Sequence, residues 1–527
     1  MKPPSTFPAG AAFDALRFAE PLRRSPLRHL AALPVLWRHP AAALAVGRAW
    51  LAGRRVRARN LAVALLGDDH RLRPPVPPPE EPAQDMAGVL ILRPPGHALV
   101  AGAQARIAAA FAADPGLLAL YGDALVLGPR DGPLLPLLRP AFDPDYLLAV
   151  DYVGPVVALR RTALDSEPAA ADLPALLLRL HDAGGEGAVR HLPALLSLWR
   201  PFAVPAPAEG SREARRALAC AAVPGGTVET GRDGVLTLRR PLPDPLPLAS
   251  LIVPTRDRLD LLRTCLDSLR ARTDWPAREI IVCDNESRDP ATLAYLRAIE
   301  REGVARVLPC PGPFNFAAMN NAAAALARGR LLVFVNNDVE AFRDDWLRRM
   351  AEEALRPGIG AVGAKLLDAQ GRIQHGGIVL GTGGLVTHAH RHFPGDAPGY
   401  LHALRATHRV AAVTAACLAV EADKFRAVGG FDAQAFAVDF NDVDLCLRLD
   451  RAGYRTLLVP GAVLHHREAA SRRWTPEARA RHEAEVARLR ERWGAALAAD
   501  PHYHPGFDPQ AGPYARLRRG PVPDALR

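Results

Sequence analysis

The sequence predicts an α/β fold whose main domain carries a mixed, mainly parallel sheet covered by helices on both faces. Three observations predict it. Short apolar runs are separated by helical stretches from Ala249 onward, the runs are apolar throughout rather than alternating, and each ends in a polar cluster. In such a sheet, ligands are expected in the crevice at the carboxyl ends of the strands.

The elements follow in order. Ser250-Leu251-Ile252-Val253 is the first strand, a helix is expected over 259–272, and Glu279-Ile280-Ile281-Val282 is the second strand. An Ala-rich helix over 317–327 precedes a third strand, Leu331-Leu332-Val333-Phe334-Val335. Their polar ends are Pro254-Thr255-Arg256-Asp257, Cys283-Asp284-Asn285-Glu286-Ser287 and Asn336-Asn337-Asp338, so three acidic positions are expected to face one crevice. Further on, Gly429-Gly430-Phe431-Asp432 leads to a helix with Asp442 and Asp444 in its first turn, where carboxylates gain from the helix dipole. A short strand, Thr456-Leu457-Leu458-Val459, then leads to His465-His466-Arg467-Glu468.

Composition bounds the rest. A length of 527 residues predicts two to four domains, and 49% hydrophobic with 23% charged residues excludes wholesale disorder. The 42 Gly and 50 Pro are aperiodic, which excludes collagen. Six cysteines without a C-x-x-C pair exclude a zinc framework and fit a reduced, cytoplasmic compartment. No apolar run reaches eighteen residues, so neither a spanning helix nor a signal peptide is expected. Residues 1–60 hold eleven basic side chains against Asp14 and Glu20, and so carry nearly all of the net charge of +10. This segment reads either as a solvated extension packed on the next domain or as helices lying on the anionic inner face of a membrane. No nucleic-acid-reading motif accompanies the charge, so no nucleic acid partner is expected.

Pro-rich stretches at 74–79 and 241–247 divide the chain. The expected units are an Arg-rich helical extension with linker (1–84), a middle domain with linker (85–245), the main domain (246–475) and a helical then irregular tail (476–527).

Carboxylate and amide oxygens at strand ends, without clustered Cys, suit Mg²⁺ or Mn²⁺ bridging phosphates. No Walker A loop and no G-x-G-x-x-G follow the first strand, so metal and Arg must meet any diphosphate charge. Taken singly, each motif has a plainer reading: Asn336-Asn337-Asp338 as turn formers, Asp442 as a helix cap, the histidine pair as a surface turn.

Together they form a recognisable series: V-P-T-R-D-R (253–258), V-C-D-N-E-S (282–287), F-N-F-A-A-M-N-N (314–321), F-V-N-N-D-V (334–339), G-R-I-Q-H-G-G (371–377), V-T-A-A-C (413–417), G-G-F-D (429–432), N-D-V-D-L-C-L-R-L (441–449) and H-R-E (466–468). The stretch 253–472 resembles the family 2 glycosyltransferases with a GT-A (Rossmann-like) fold, especially those that build bacterial O-antigen and other surface polysaccharides. The resemblance implies a metal-dependent inverting transfer from a nucleotide diphosphate sugar to a glycan or lipid-linked acceptor. It implies that Pro254, Thr255, Asp257, Asp284 and Asn336 bind the donor and that Asp338 and His466 meet the metal. Asp442 would be the general base, with Asp444 at the acceptor corner. Departures from the family pattern are Asn336 at the first position of D-x-D, Ala415 for Gly, and Ala469 at the first Ser of the H-x-E-S-x-S-R ending, whose second Ser remains as Ser471.

The region 85–201 resembles the second half of the same fold. Val89-Leu90-Ile91-Leu92, Tyr121-Gly122-Asp123, the run 156–161 and the run 190–195 match later segments, whereas Arg93-Pro94-Pro95-Gly96 stands at the metal position and Leu173 opposite Asp442. A degenerate, non-catalytic glycosyltransferase-like domain is therefore expected before the catalytic one. Beyond residue 474 a polar helix to about residue 498 is expected, and His502 and His504 read as exposed tail histidines. Two rival readings are a nucleotidyltransferase, which would release pyrophosphate, and a non-catalytic scaffold in a polysaccharide assembly complex.

Overall fold

The computed structural model describes residues 40–51, 78–80, 86, 88–127, 133–164, 173–200, 210–467, 475–510, 512–514 and 517–518. Most of the Arg-rich start, residues 74–77 of the first Pro-rich stretch and the ending at 468–472 lie outside the described residues.

The first sheet is built from β1 (Pro79–Glu80), β2 (Val89–Leu92), β3 (His97–Val100), β4 (Ala119–Leu127), β5 (Pro133–Leu137), β6 (Val157–Arg160) and β7 (Val189–Trp199). Its order is β1-β3-β7-β4-β6-β2, with β5 beside β4. The helix Gly210–Ala222 and a hairpin of β8 (Thr227–Thr230) and β9 (Leu236–Arg239) follow, two elements the sequence reading did not anticipate. They bury Ala219, Val223, Val228 and Leu236 against Leu148.

The second sheet takes β10 (Ala249–Thr255), β11 (Arg278–Asp284), β12 (Arg306–Pro309), β13 (Leu331–Val335), β14 (Val339–Ala341), β15 (Ile359–Leu367) and β16 (Ile373–His375). A separate hairpin of β17 (Ile378–Leu380) and β18 (Val386–His388) precedes β19 (His408–Arg409), β20 (Cys417–Glu421) and β21 (Arg455–His466), which return to the second sheet. The order is β12-β11-β10-β13-β20-β15-β21-β14. Strands β12, β11, β10 and β13 are parallel, and β15 and β21 pair in parallel with the same direction, so the sheet is mixed and mainly parallel as expected, interrupted where β20 runs antiparallel to both β13 and β15. The reason is that β20 follows a long excursion through the β17–β18 hairpin and is not delivered by a helical crossover.

Burial on both faces explains why the strands are apolar throughout. Leu251 and Val253 pack on Leu262, Leu266 and Leu269 of the helix Leu259–Ala271, with Trp275 beneath. Ile252, Leu332 and Phe334 point the other way onto Ala317, Ala323 and Phe431. Each such Leu contributes roughly 1.5–3 kcal/mol by burial, and truncating Leu266 to Ala would cost about 3 kcal/mol.

The two sheets share one topology. In sequence order, β2, β3, β4, β5, β6 and β7 correspond to β13, β14, β15, β16, β20 and β21, and all five pairings have the same sense. The register agrees as well. Val89 opposes Arg160 as Leu331 opposes Glu421, Leu120 opposes Ala158 as Val362 opposes Ala419, and His97 opposes Trp199 as Val339 opposes His466. Even the bulge recurs, between Gly122 and Asp123 on β4 and between Ala364 and Lys365 on β15. Among the described residues the first sheet has no counterparts of β10, β11 and β12, the strands that begin the second.

A buried ionic cluster joins the two units. Asp145 meets Arg240 and Arg356 at 3.0 Å each, Glu353 meets Arg240 at 3.2 Å, and Glu352 meets Arg239 at 2.7 Å. Asp143 caps its own short helix and accepts the amide of Arg409 from the second unit at 2.6 Å. No helix among the described residues is long and apolar enough to cross a membrane.

Candidate active site

Three parallel strands bring the first polar clusters to one edge. Thr255 and Asp284 are register partners on β10 and β11, and Asn285 donates its amide to Thr255 O at 2.9 Å. Asn337 Nδ2 donates to Thr255 Oγ1 at 2.9 Å, which ties the end of β13 to the end of β10. The Ser287 hydroxyl donates to Asp284 Oδ1 at 2.5 Å and accepts the Asp257 amide at 2.7 Å. Asp257 has a left-handed backbone (φ 51°), and its Oδ1 accepts the amides of Arg288 and Asp289 at 2.7 and 2.9 Å. Thus Pro254, Thr255, Asp257 and Asp284 stand together at the crevice edge, with Asp257 holding the loop that follows β11. Arg258 pairs with Asp260 at 2.9 Å and lies within electrostatic reach of Asp338.

Asp338 and His466 come from the middle and the end of the unit. The pairing of Val339 with His466 puts the Asp338 Oδ1 at 3.2 Å from His466 Nε2. Among the described residues that oxygen is buried without a hydrogen-bond partner, and so is His466 Nδ1. A buried acceptor left open beside an imidazole fits a divalent cation, since leaving it bare costs about 1–3 kcal/mol. Asn336, at the other end of the motif, donates its backbone amide to Ala416 O at 3.0 Å.

Asp442 is held by the neighbouring peptide unit. Its Oδ2 accepts the amide of Ala415 at 3.1 Å and its Oδ1 accepts its successor's amide, Val443 N, at 2.8 Å. Burial raises its carboxyl above the ordinary range, while those two amides and the Thr414 hydroxyl pull it back. The segment 414–416 therefore touches the end of the strand leading to the Asp338–His466 corner through Asn336, and the Asp442 carboxylate through Ala415.

Asp444 does not reach this corner. Fully buried, it accepts from Arg448 Nε at 2.8 Å, Arg492 Nη1 at 3.0 Å and Trp493 Nε1 at 2.9 Å, and so clamps the C-terminal helix Pro476–Ala498 to the helix Asn441–Arg451. Two residues on, a rotation of about 200° has turned it away from Asp442.

Several motif residues act as fasteners that the sequence reading left without a role. Asn321 exchanges two hydrogen bonds with the backbone of Phe431 (2.7 and 2.9 Å), and Asn315 reaches Ala433 O at 3.0 Å, so F-N-F-A-A-M-N-N pins G-G-F-D. Gly430 has φ 68°, and a Cβ there would lie 2.7 Å from Asn321 Oδ1. His375, from G-R-I-Q-H-G-G, is fully buried. Its Nε2 accepts the Thr414 amide at 3.4 Å and its Nδ1 lies 2.8 Å from Nδ1 of His388. Burial, then His388 and His466, drive its pKa far down, so the ring is neutral.

The tail histidines are not exposed. His504 is buried and its Nε2 meets Asp123 Oδ2 at 2.9 Å, while His191 Nε2 meets Oδ1 at 3.0 Å. This is the one His/Asp group among the described residues with the spacing of a metal site. His504 Nδ1, however, accepts the Gly506 amide at 2.9 Å. The ring proton is then on Nε2, which donates to Asp123 and has no lone pair for a cation. The triad is a latch between the tail and the first sheet.

The family model for Glycosyl transferase family 2 matches residues 250–380. The chain is 45% identical over 264 residues to protein y4gI of Sinorhizobium fredii, covering 50% of this chain and 29% of that protein. It is 34% identical over 445 residues to O-antigen biosynthesis protein RfbC of Myxococcus xanthus, covering 79% and 33%. The chain thus spans about a third of the length of these two relatives. It is 30% identical over 232 residues to N-acetylglucosaminyl-diphospho-decaprenol L-rhamnosyltransferase of Mycobacterium tuberculosis, covering 39% of this chain and 72% of that enzyme. Among solved structures, GalNAc-T7 with UDP, GalNAc and Mn²⁺ aligns with a TM-score of 0.37 at 16% identity, covering 44% of this chain and 45% of that one. The rhamnosyltransferase match, extending over most of that enzyme and joined to the family segment that contains Thr255, Asp284 and Asp338, identifies this chain as a glycosyltransferase of family 2.

Proposed function

We propose that the chain moves a sugar from a nucleotide diphosphate donor, with inversion at the anomeric carbon, to a hydroxyl of a surface-polysaccharide or lipid-linked glycan. The observation that carries this reading is the placing of Asp442 and the Asp338–His466 corner on either side of the segment 414–416. The two ends of a displacement then lie side by side.

The residues divide the work. The acceptor oxygen forms a bond to the anomeric carbon as the bond from that carbon to the diphosphate oxygen breaks, and Asp442 takes the hydroxyl proton. Asp338 and His466 would hold Mg²⁺ or Mn²⁺, whose charge offsets that growing on the departing nucleoside diphosphate. Pro254, Thr255, Asp257, Asp284 and Asn336 form the donor side, the strand ends being where such a sheet takes its ligand. Similarity to an O-antigen biosynthesis protein, RfbC, and to an N-acetylglucosaminyl-diphospho-decaprenol L-rhamnosyltransferase supports the glycan class of acceptor.

The first sheet is a degenerate half of the same fold in this reading. By register, Gly96 stands where the second sheet has Asp338, and Trp199 where it has His466, so it offers no ligand pair. Leu173 begins the helix equivalent to the one that carries Asp442. In this reading the chain works in the cytoplasm, and the exposure of Leu44 and Leu51 beside Arg48 on the helix Pro40–Leu51 supports contact with an anionic membrane face. Vesicle flotation of the full chain with and without anionic lipid tests that contact.

The test of the reaction is product analysis with labelled UDP-, GDP- and dTDP-sugars and a lipid-linked glycan acceptor. Nucleoside diphosphate release with an inverted anomeric centre is expected. Pyrophosphate release would mark a nucleotidyltransferase, and binding without turnover a scaffold.

A further inference from the structure

The C-terminal helix Pro476–Ala498 lies beyond the segment matched by the family model, yet it reaches the turn from which Asp442 emerges. Glu485 on this helix is fully buried. One of its oxygens accepts the amide of Val438 at 3.3 Å and the other that of Asp439 at 2.6 Å. One turn earlier, His482 Nδ1 lies 3.0 Å from Asp439 Oδ2, and its ring packs 5.6 Å from that of Phe440. Two turns later, Arg492 and Trp493 hold Asp444. Asp442 therefore sits between two residues gripped by the same helix.

The grip has something to hold. Phe440 adopts a left-handed backbone, φ 61°, at the start of the helix Asn441–Arg451, a conformation that costs a non-glycine residue roughly 1–2 kcal/mol. Such a turn persists only where its surroundings over-determine it. Burying a carboxylate is itself unfavourable, and a well-packed apolar side chain at 485 would serve stability as well or better. What an apolar residue could not do is fix the two amides that set the exit direction of residues 441–444.

We propose that Glu485 is a positioning residue for the transfer, setting the attack geometry of Asp442 through the amides of Val438 and Asp439. The inference rests on the assignment of Asp442 as base. It makes the C-terminal helix part of the catalytic apparatus rather than a covering tail.

The test compares wild type with Glu485→Gln, which keeps the shape but replaces one acceptor by a donor, and with Glu483→Gln on the exposed side of the same helix. Hydrogen exchange in peptides spanning 436–446 is expected to quicken at least about fivefold in Glu485→Gln alone, with no change around 250–258 or 331–338. The kcat of nucleoside diphosphate release should fall about ten- to a hundredfold, while calorimetric affinity for UDP or GDP stays within about twofold. In an Asp442→Asn background the same substitution should have no further effect, because Glu485 acts only through that carboxylate. Unchanged exchange at 436–446, or a rate loss that persists in the Asp442→Asn background, overturns the proposal. A wild-type chain silent with every donor would count against the transferase reading itself, and the exchange result would still decide whether Glu485 holds the turn.

Discussion

Asp338 and His466 stand 3.2 Å apart because Val339 and His466 are partners across β14 and β21, one strand from the middle and one from the end of the second unit. The corner exists only once β14 has paired with β21. Its geometry is thus a consequence of register, and a slip of one residue would turn His466 to the other face.

Removing Asp338 should remove the metal. Asp338→Ala is expected to weaken Mn²⁺ binding roughly 100-fold or more, measured by calorimetry in the presence of nucleoside diphosphate, and His466→Ala to weaken it less. Undiminished binding in Asp338→Ala would place the cation elsewhere.

Asp442 should govern the acid limb of the rate. Burial raises its carboxyl, and it works only when deprotonated, so kcat should begin to fall at higher pH than for an exposed carboxylate. Thr414→Val removes a hydrogen bond to the charged form and should move that limb further up. Asp442→Asn should keep nucleotide binding and lose about 10²- to 10⁴-fold in rate. A rate that is flat through the acid range in wild type would contradict the assignment.

The tail latch should show in acid unfolding. Burial opposes charge on Asp123, but His504 and His191 outweigh it and hold the carboxyl at about 2, below its usual 3.8. A carboxyl lowered on folding adds stability above its unfolded pKa and loses it as pH falls through the folded one. Asp123→Asn should therefore cost about 3 kcal/mol by urea unfolding at pH 7, with the difference narrowing toward pH 2. Equal losses at both pH values would mean that packing, not charge, holds the tail.

The seam between the two units should open without harming the crevice. Asp145 joins Arg240 and Arg356 across it, so Asp145→Asn leaves two arginines with a weaker partner and should cost about 3 kcal/mol. Limited proteolysis between the two units should quicken, and nucleotide affinity should stay unchanged. A fall in that affinity would tie the first unit to donor binding.

Much of this was legible in the sequence because it is local. The strand at 331–335 falls at the predicted residues, and the helices at 259 and 317 are displaced by one residue at most. The polar ends of β10, β11 and β13 were legible for the same reason, since parallel strands must finish at one edge. The repeat of the half-fold could be read from matching runs, although its bulge at Asp123 and Lys365 could not. What escaped depends on partners distant in the chain. Asp444 shares a helical turn with Asp442, and only the presence of Arg492 and Trp493 decides that its carboxylate faces a helix. His504 looked like an exposed tail residue because nothing nearby shows that Asp123 awaits it. Glu485 lies among other charged residues of a polar helix, and its burial follows from the turn at 438–440.

The most direct test of the account is nucleoside diphosphate release by wild type and Asp442→Asn, each with Mn²⁺ and with EDTA, across UDP-, GDP- and dTDP-sugars and a lipid-linked glycan acceptor. The account predicts release from one donor class by wild type with Mn²⁺, abolished by EDTA and by the substitution. Release that survives both would contradict it.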